Sequence, residues 1–312
     1  MGFFAPPELI KTEVFAEVPK ALQKTSMPAE RIAAGKSVVA AGSFLEGPTF
    51  DREGYLWCVD IPYGRIFRVS PKGEFELVLE YDGEPNGLVI HKDGRIFVAD
   101  HKYGVMLLET GKTGKTGTAK LTPYVTRYHQ QGFKGVNDLT YALNGDLYFT
   151  DQGQSDLADP TGCVYRHTAA GLTQRIASNV ASPNGLVLDG AGKTLYVAVT
   201  RANAVWRMPF APDGTVVRMG LQIQLSGGRG PDGMAIDEND GLAVAHPDMG
   251  AVWIFNHRGE PAYRVQSCKS DVLTNLCYGG ADRKTVFITD AGSGCILTAR
   301  VPVAGRLLYS HV

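Results

Sequence analysis

Short apolar runs alternate with polar turns along most of the chain, and the same arrangement returns six times. The repeats are EGPTFDREGYLWCVD from Glu46, NGLVIHKDGRIFVAD from Asn86, NDLTYALNGDLYFTD from Asn137, NGLVLDGAGKTLYVAV from Asn184, DGMAIDENDGLAVAH from Asp232 and NLCYGGADRKTVFITD from Asn275. In each, an apolar stretch such as Leu88-Val89-Ile90 is followed by a turn such as Lys92-Asp93-Gly94. A second apolar stretch such as Ile96-Phe97-Val98 comes next, which is the pattern of a β-hairpin. A third strand follows most hairpins (GRIFRVS, GVMLLE, GCVYRH, AVWRMPF, AVWIFN, GCILTAR), and a weaker fourth follows the first five. Four strands recurring at intervals of about 45 residues predict an all-β fold, a six-bladed β-propeller with four antiparallel strands per blade.

The sixth unit lacks its own fourth strand. The segment Lys36–Gly42, ahead of the first repeat, is the expected donor, so that an N-terminal strand closes the last blade and removes the open sheet edges. On this reading residues 1–35 are an extension packed outside the propeller, with a helix near Pro19–Lys24, and residues 36–312 are the propeller itself.

Composition narrows the function classes. Lys and Arg number 31 against 32 Asp and Glu, a net charge of −1, so no electrostatic footprint for nucleic acid or an anionic membrane exists. No apolar run reaches the ~18 residues needed to span a bilayer, and the N-terminus has scattered charges rather than the layout of a signal peptide. The expectation is a soluble cytoplasmic protein, a monomer or small homo-oligomer. Its five cysteines, odd in number and far apart, read as reduced structural thiols.

The first strand of each propeller blade lines the central channel, so position one of each repeat falls at one height around the axis. Those positions are Glu46, Asn86, Asn137, Asn184, Asp232 and Asn275, all carboxylates or carboxamides. Asn-Gly and Asp-Gly are also strong turn pairs, and Asn86, Asn184 and Asp232 are each followed by Gly. Glu46-Gly47-Pro48 and Asn137-Asp138-Leu139 are not such turns, yet they hold the same register. Burying so many polar groups is costly unless something satisfies them, and a cation on the axis would do so. Hard oxygen donors suit Ca²⁺ best, with Mg²⁺, Mn²⁺, Zn²⁺ and Fe²⁺ left open. A second ring, at the ends of the return strands, comprises Asp60, Asp100, Asp151, Val199, His246 and Asp290. His101 and His246 stand at the expected mouth of the channel as candidate substrate contacts, with Asn86 and Asn275 beside them on the ring.

Four stretches in order, Glu46-Gly-Pro, Asn137-Asp138, Ser182-Pro-Asn184-Gly and Pro231-Asp232-Gly-Met, resemble the metal-binding motifs of one family. It is the senescence marker protein, gluconolactonase and luciferin-regenerating enzyme family, which includes regucalcin. The resemblance runs from about Leu45 to Leu297. It is nearest the bacterial lactonase branch in FLEGPTFD, NGDLYFTDQG and TRANAVWR. It implies a six-bladed propeller with one divalent cation held by Glu46, Asn137, Asn184 and Asp232, with Asp232 also the general base, and hydrolysis of a lactone. Sugar lactonases similar to regucalcin carry a substrate-contacting Arg two residues before the Asn-Asp pair. Here that position is Gly135, with Lys134 beside it as the candidate substrate contact, so the resemblance leaves the lactone's identity open. The alternatives are an aryl-ester or phosphotriester hydrolase on the same ion, an isomerase or dehydratase of a related cyclic substrate, and a non-catalytic binding propeller.

Overall fold

The middle strands of the repeats are apolar on both faces, as in Leu56–Asp60 and Ile96–Asp100, where every residue is buried. A strand with no solvent face must be covered on both sides, and radial packing of sheets around an axis provides that cover. The structure, a computed structural model, describes residues 5–29, 42–110 and 119–312. Six sheets form the blades of a propeller. Their inner strands are Leu45–Phe50, Pro85–Ile90, Val136–Tyr141, Pro183–Leu188, Met234–Ile236 and Leu273–Gly279. Each inner strand packs against the next, and Leu273–Gly279 returns to Leu45–Phe50 to complete the circle. Clusters of buried apolar residues fill the gaps between blades, for example Phe97, Val136 and Phe149 between blades 2 and 3.

The sixth blade is closed by an N-terminal strand, but not at the position expected. Glu13–Glu17 pairs antiparallel with Cys295–Arg300, with Val14 opposite Leu297 and Glu17 opposite Cys295. The physical reason lies in its side chains. Ala16 and Val18 are buried, and the Phe15 ring meets Phe287 edge-on at 5.2 Å. Just upstream, Glu8–Lys11 adds a parallel fifth strand to Pro261–Gln266 of blade 5. The segment expected to pack outside the propeller therefore contributes strands to two blades. Lys36–Gly42, the expected donor, lies outside the described residues apart from Gly42. The expected helix near Pro19–Lys24 is a single 3₁₀ turn, Lys20–Leu22.

At the far end of the inner strands the C-terminal segment lies across the channel. Tyr309 stacks on Tyr141 (4.9 Å, 19°), and Arg306 pairs with Asp240 at 2.8 Å. An apolar cavity of about 490 Å³ remains between this segment and the strands. All five cysteines are free thiols. Among the described residues no helix is long and apolar enough to cross a membrane.

Deleting residues 1–18 removes the closing strand and the buried Ala16 and Val18. At roughly 1.5–3 kcal/mol for a buried Val-sized side chain, plus the lost ladder, the thermal midpoint should fall by about 5 °C or more. Calorimetry of the truncated chain checks this, and an unchanged midpoint would show that another segment closes the blade.

Candidate active site

The inner strands do not run straight through the ring of polar residues. Register shifts by one residue between Glu46 and Thr49, Pro85 and Gly87, Val136 and Leu139, Pro183 and Leu186, and Leu273 and Asn275. A bulge adds a residue and re-aims its side chain, so each strand turns a polar group toward the axis. The turn reading of the Asn-Gly pairs does not hold. Asn86 and Asn184 lie inside strands, and none of Asn86, Asn184 or Asp232 has the positive φ of a hairpin turn. The glycines are there because neighbouring strands nearly touch. A Cβ on Gly87 would lie 2.9 Å from the Asn137 carbonyl oxygen, and one on Gly233 would overlap the Asn275 side chain.

Threonine hydroxyls fix the strands to one another beside the ring. Thr150 Oγ1 donates to the Asn184 carbonyl (2.9 Å), Thr200 Oγ1 to the Pro231 carbonyl (2.8 Å) and Thr274 Oγ1 to the Leu45 carbonyl (2.9 Å). Each bond joins one blade to the next at a residue on or adjacent to Asn184, Asp232 or Glu46.

The ring opens into a polar cleft of about 620 Å³, with Glu46, Asn86, Asn137, Asn184 and Asp232 in its wall. Asn137 is buried, its Nδ2 donates to Gln152 Oε1 (3.2 Å), and Gln152 Nε2 donates to Ser182 Oγ (2.9 Å). Asn137 Oδ1 is left buried with no hydrogen-bond partner. Glu46 Oε2 accepts from the Gly47 N–H (2.8 Å). Asn275 is placed deeper than the cleft. Its amide bonds both Glu46 and Asp138, so it supports the ring from below instead of lining the substrate space.

Asp138 is the residue that the sequence reading left without a role. It is a third acidic group beside Glu46 and Asp232, and it accepts the Leu139 N–H at 2.8 Å. Desolvation, then the Asp232 charge, pushes the Glu46 carboxyl well above its usual range. Desolvation also lifts Asp138 to about 7. Asp232 rises to about 7 through desolvation, with the Asn184 amide pulling down and the Asp138 charge pushing up. Three acids held together in this way favour a cation or shared protons.

A divalent cation fits this donor set. The unpartnered Asn137 oxygen, two carboxylates and the neighbouring Asn184 amide are hard oxygen donors of the kind Ca²⁺ takes. Among the described residues no three His, Cys, Asp or Glu side chains form a ready cage. The fit depends on mixed amide and carboxylate donors.

The second ring is structural. Asp60 accepts the Phe44 N–H and pairs with the buried Arg65; Asp100 accepts the N–H groups of Glu84, Lys102 and Tyr103. Asp151 accepts those of Lys134 and Gly135, and Asp290 that of Ser270. Each carboxylate fastens the segment entering the inner strand of its own blade. Two expected substrate contacts are turned away for related reasons. With its N–H held by Asp151, Lys134 points outward, its Nζ 3.4 Å from the Thr161 carbonyl, and lines a separate cleft of about 240 Å³. His246 is buried, with Nε2 3.0 Å from the Gly227 carbonyl and Nδ1 accepting from Trp253 Nε1 at 3.2 Å. Both ring nitrogens are used, and desolvation keeps this imidazole neutral by lowering its pKa. His101 does line the cleft, and its ring fills the space over Gly135, where an added Cβ would lie 2.2 Å from Cε1. Gln152, Arg201 and Arg229, none singled out from sequence, and Ser182, named only as the start of the Ser-Pro-Asn-Gly motif, join the wall together with residues 153–156 of the blade-3 insertion. No spacing rule marks the four named side chains, because they sit on loops that only the closed ring brings together.

Residues 44–292 match the SMP-30/Gluconolactonase/LRE-like region. The chain belongs to this family. It is 33% identical over 235 residues to the lactonase drp35 of Staphylococcus aureus (strain MRSA252), covering 72% of this chain and 70% of that protein. Among solved structures, a calcium-binding protein described as regucalcin from Agrobacterium tumefaciens superposes with a TM-score of 0.77 at 19% identity, covering 98% of this chain and all of the other. A gluconolactonase from Xanthomonas campestris gives 0.72 at 21% identity, with 96% and 98% covered. At these identities the two structures establish the shared fold.

Burial raises the pKa of Glu46, Asp138 and Asp232 in the folded state, so without a cation folding takes up protons as these acids titrate. The stabilisation is complete below the unfolded-state values near 4 and is lost as pH rises through about 7. In EDTA the urea midpoint should therefore fall between about pH 5 and pH 8, and Asp138→Asn should shrink that fall. A flat profile would contradict the desolvated cluster.

Proposed function

We propose that this protein is a lactone-opening hydrolase that works with one divalent cation, Ca²⁺, held by Glu46, Asn137, Asn184 and Asp232. The observation that carries the reading is the Asn137 oxygen, buried without a partner in a polar cleft beside two mutually repelling carboxylates. The family and the drp35 relatives, named lactonases, support the reaction class.

When bound, the cation supplies Lewis-acid polarisation of the lactone carbonyl and offsets the charge that builds up there. The protein does the rest. The Asn137–Gln152–Ser182 chain of hydrogen bonds and the Asn275 amide hold the donors in place before substrate arrives, which is where preorganised sites gain their rate. Asp232, partly open to the cleft, takes a proton from the water that adds to the carbonyl carbon. The ring C–O bond then breaks, and the same carboxyl returns the proton to the departing alkoxide. With a cation held by Glu46, Asn137, Asn184 and Asp232, the upward shift that burial imposes on Asp232 would be opposed, which would favour the basic form that proton uptake requires. His101 and residues 153–156 shape the wall above and limit entry of water.

A pH-indicator screen of lactones, run with the metal-loaded enzyme, tests the reading. Acid release should stop in EDTA and return with one added metal. Glu46→Ala should lose metal binding by calorimetry, and Asp232→Asn should cut kcat by about 10²- to 10⁴-fold. Turnover of phosphotriesters or aryl esters far above every lactone would move the assignment to those substrates. Full activity in Asp232→Asn would remove it as the base.

A further inference from the structure

The floor of the cleft is acidic, but its rim carries two guanidinium groups, Arg201 and Arg229. They are not equivalent. Arg229 Nε donates to Asp248 Oδ2 at 2.9 Å, so its charge is answered outside the cleft. Arg201 is exposed, and while its backbone N–H donates to the Ala181 carbonyl (3.3 Å), its guanidinium makes no hydrogen bond or ion pair among the described residues. Its charge acts at a distance on Asp156 and Asp232. Asp156 is already engaged, its Oδ1 accepting the N–H groups of Ala158 (2.8 Å) and Asp159 (2.9 Å).

The backbone under Arg201 is fixed. It lies in the 3₁₀ turn Thr200–Ala202, where Thr200 N–H donates to the Ser182 carbonyl (3.0 Å) and Thr200 Oγ1 to the Pro231 carbonyl (2.8 Å). Asn203 closes the turn with φ 50°. The same two anchors lie beside Asn184 and Asp232, so the backbone that carries this guanidinium stands at a set place at the cleft rim. With a cation neutralising Glu46 and Asp232, Arg201 would be the rim guanidinium without an ion-pair partner, since Arg229 is paired with Asp248. A single planar guanidinium matches a carboxylate through two parallel N–H donors. A phosphate dianion would call for a second free cation, and Arg229 is taken.

We propose that Arg201 sets the specificity of the cleft by binding a carboxylate carried on the lactone, so that the preferred substrates are lactones of dicarboxylic acids. This rests on the lactonase reading of the same site. Water adds across the ring C–O bond of such a monoanion and yields a hydroxy-dicarboxylate and one proton.

The test compares kcat/KM of the metal-loaded enzyme on γ-carboxy-γ-butyrolactone and on γ-butyrolactone. In Arg201→Gln the ratio of the two should fall by about 10- to 100-fold, mainly through KM. Arg207→Gln, which removes the same charge from an exposed position of the same blade outside the cleft, should leave the ratio as it is. A ratio unchanged in Arg201→Gln overturns the inference. Calorimetric titration with α-hydroxyglutarate, the product of the first lactone, reads the rim without turnover. Binding weakened about 10-fold or more in Arg201→Gln supports Arg201 even if neither lactone is opened, a result that would instead count against the hydrolase reading. Equal affinity in the two proteins, or no binding to either, overturns it.

Discussion

The crowding of three acids, Glu46, Asp138 and Asp232, into the desolvated end of a narrow channel is the interaction on which the rest of this structure turns. Ionised carboxylates lose hydration there and repel one another. The arrangement persists because the polypeptide around it is over-determined. Inner strands approach closely enough to exclude a Cβ at Gly87 and Gly233, and bulges turn the polar side chains inward at the same level. Sheet geometry in this protein is thus set partly by the needs of its axis, and the propeller's closure supplies the stiffness that holds the acids together.

Around the acids lies a shell of neutral hydrogen-bonding groups with divided tasks. Threonines 150, 200 and 274 connect neighbouring blades. Gln152 orients the Asn137 amide, and Asn275 bridges Glu46 and Asp138. Farther out, Asp60, Asp100, Asp151 and Asp290 fasten the loops that lead into the inner strands. Blades 4 and 5 lack this aspartate and show Val199 and His246 instead. In blade 4 the tie comes from the Thr200 N–H, just beyond the strand, to the Ser182 carbonyl, and in blade 5 from the His246–Gly227 bond. The asymmetry has a functional side, because these two blades carry the loops that bring Arg201 and Arg229 to the cleft.

The repeat carried most of the architecture, since a hairpin pattern that recurs six times at one spacing has few ways to bury its apolar strands. The same register put Glu46, Asn86, Asn137, Asn184, Asp232 and Asn275 on one ring, and the structure brings all but Asn275 to the wall of one cleft; the four ligands among them were marked by the family motifs. Register cannot say which way a side chain points once a bulge or a loop intervenes. Asn275 sits one layer down, Asp138 joins the acids from the far side of its bulge, and His246 turns into the wall against Trp253. The closing strand was missed for a similar reason. Lys36–Gly42 and Glu13–Glu17 are both short segments with an apolar middle, and the packing of Phe15, Ala16 and Val18 against blade 6 distinguishes the donor.

What the sequence determined by itself was therefore periodic: blade number, strand order and the oxygen-rich level of the channel. What the tertiary structure decided was aperiodic: which polar side chains face the cleft, which are consumed as supports, and which cation at the rim is left without a partner. Periodic features follow from local patterning, which every residue carries with it. The others depend on contacts between blades far apart in sequence, such as Thr274 with Leu45 or Thr200 with Pro231, and these exist only after the ring has closed.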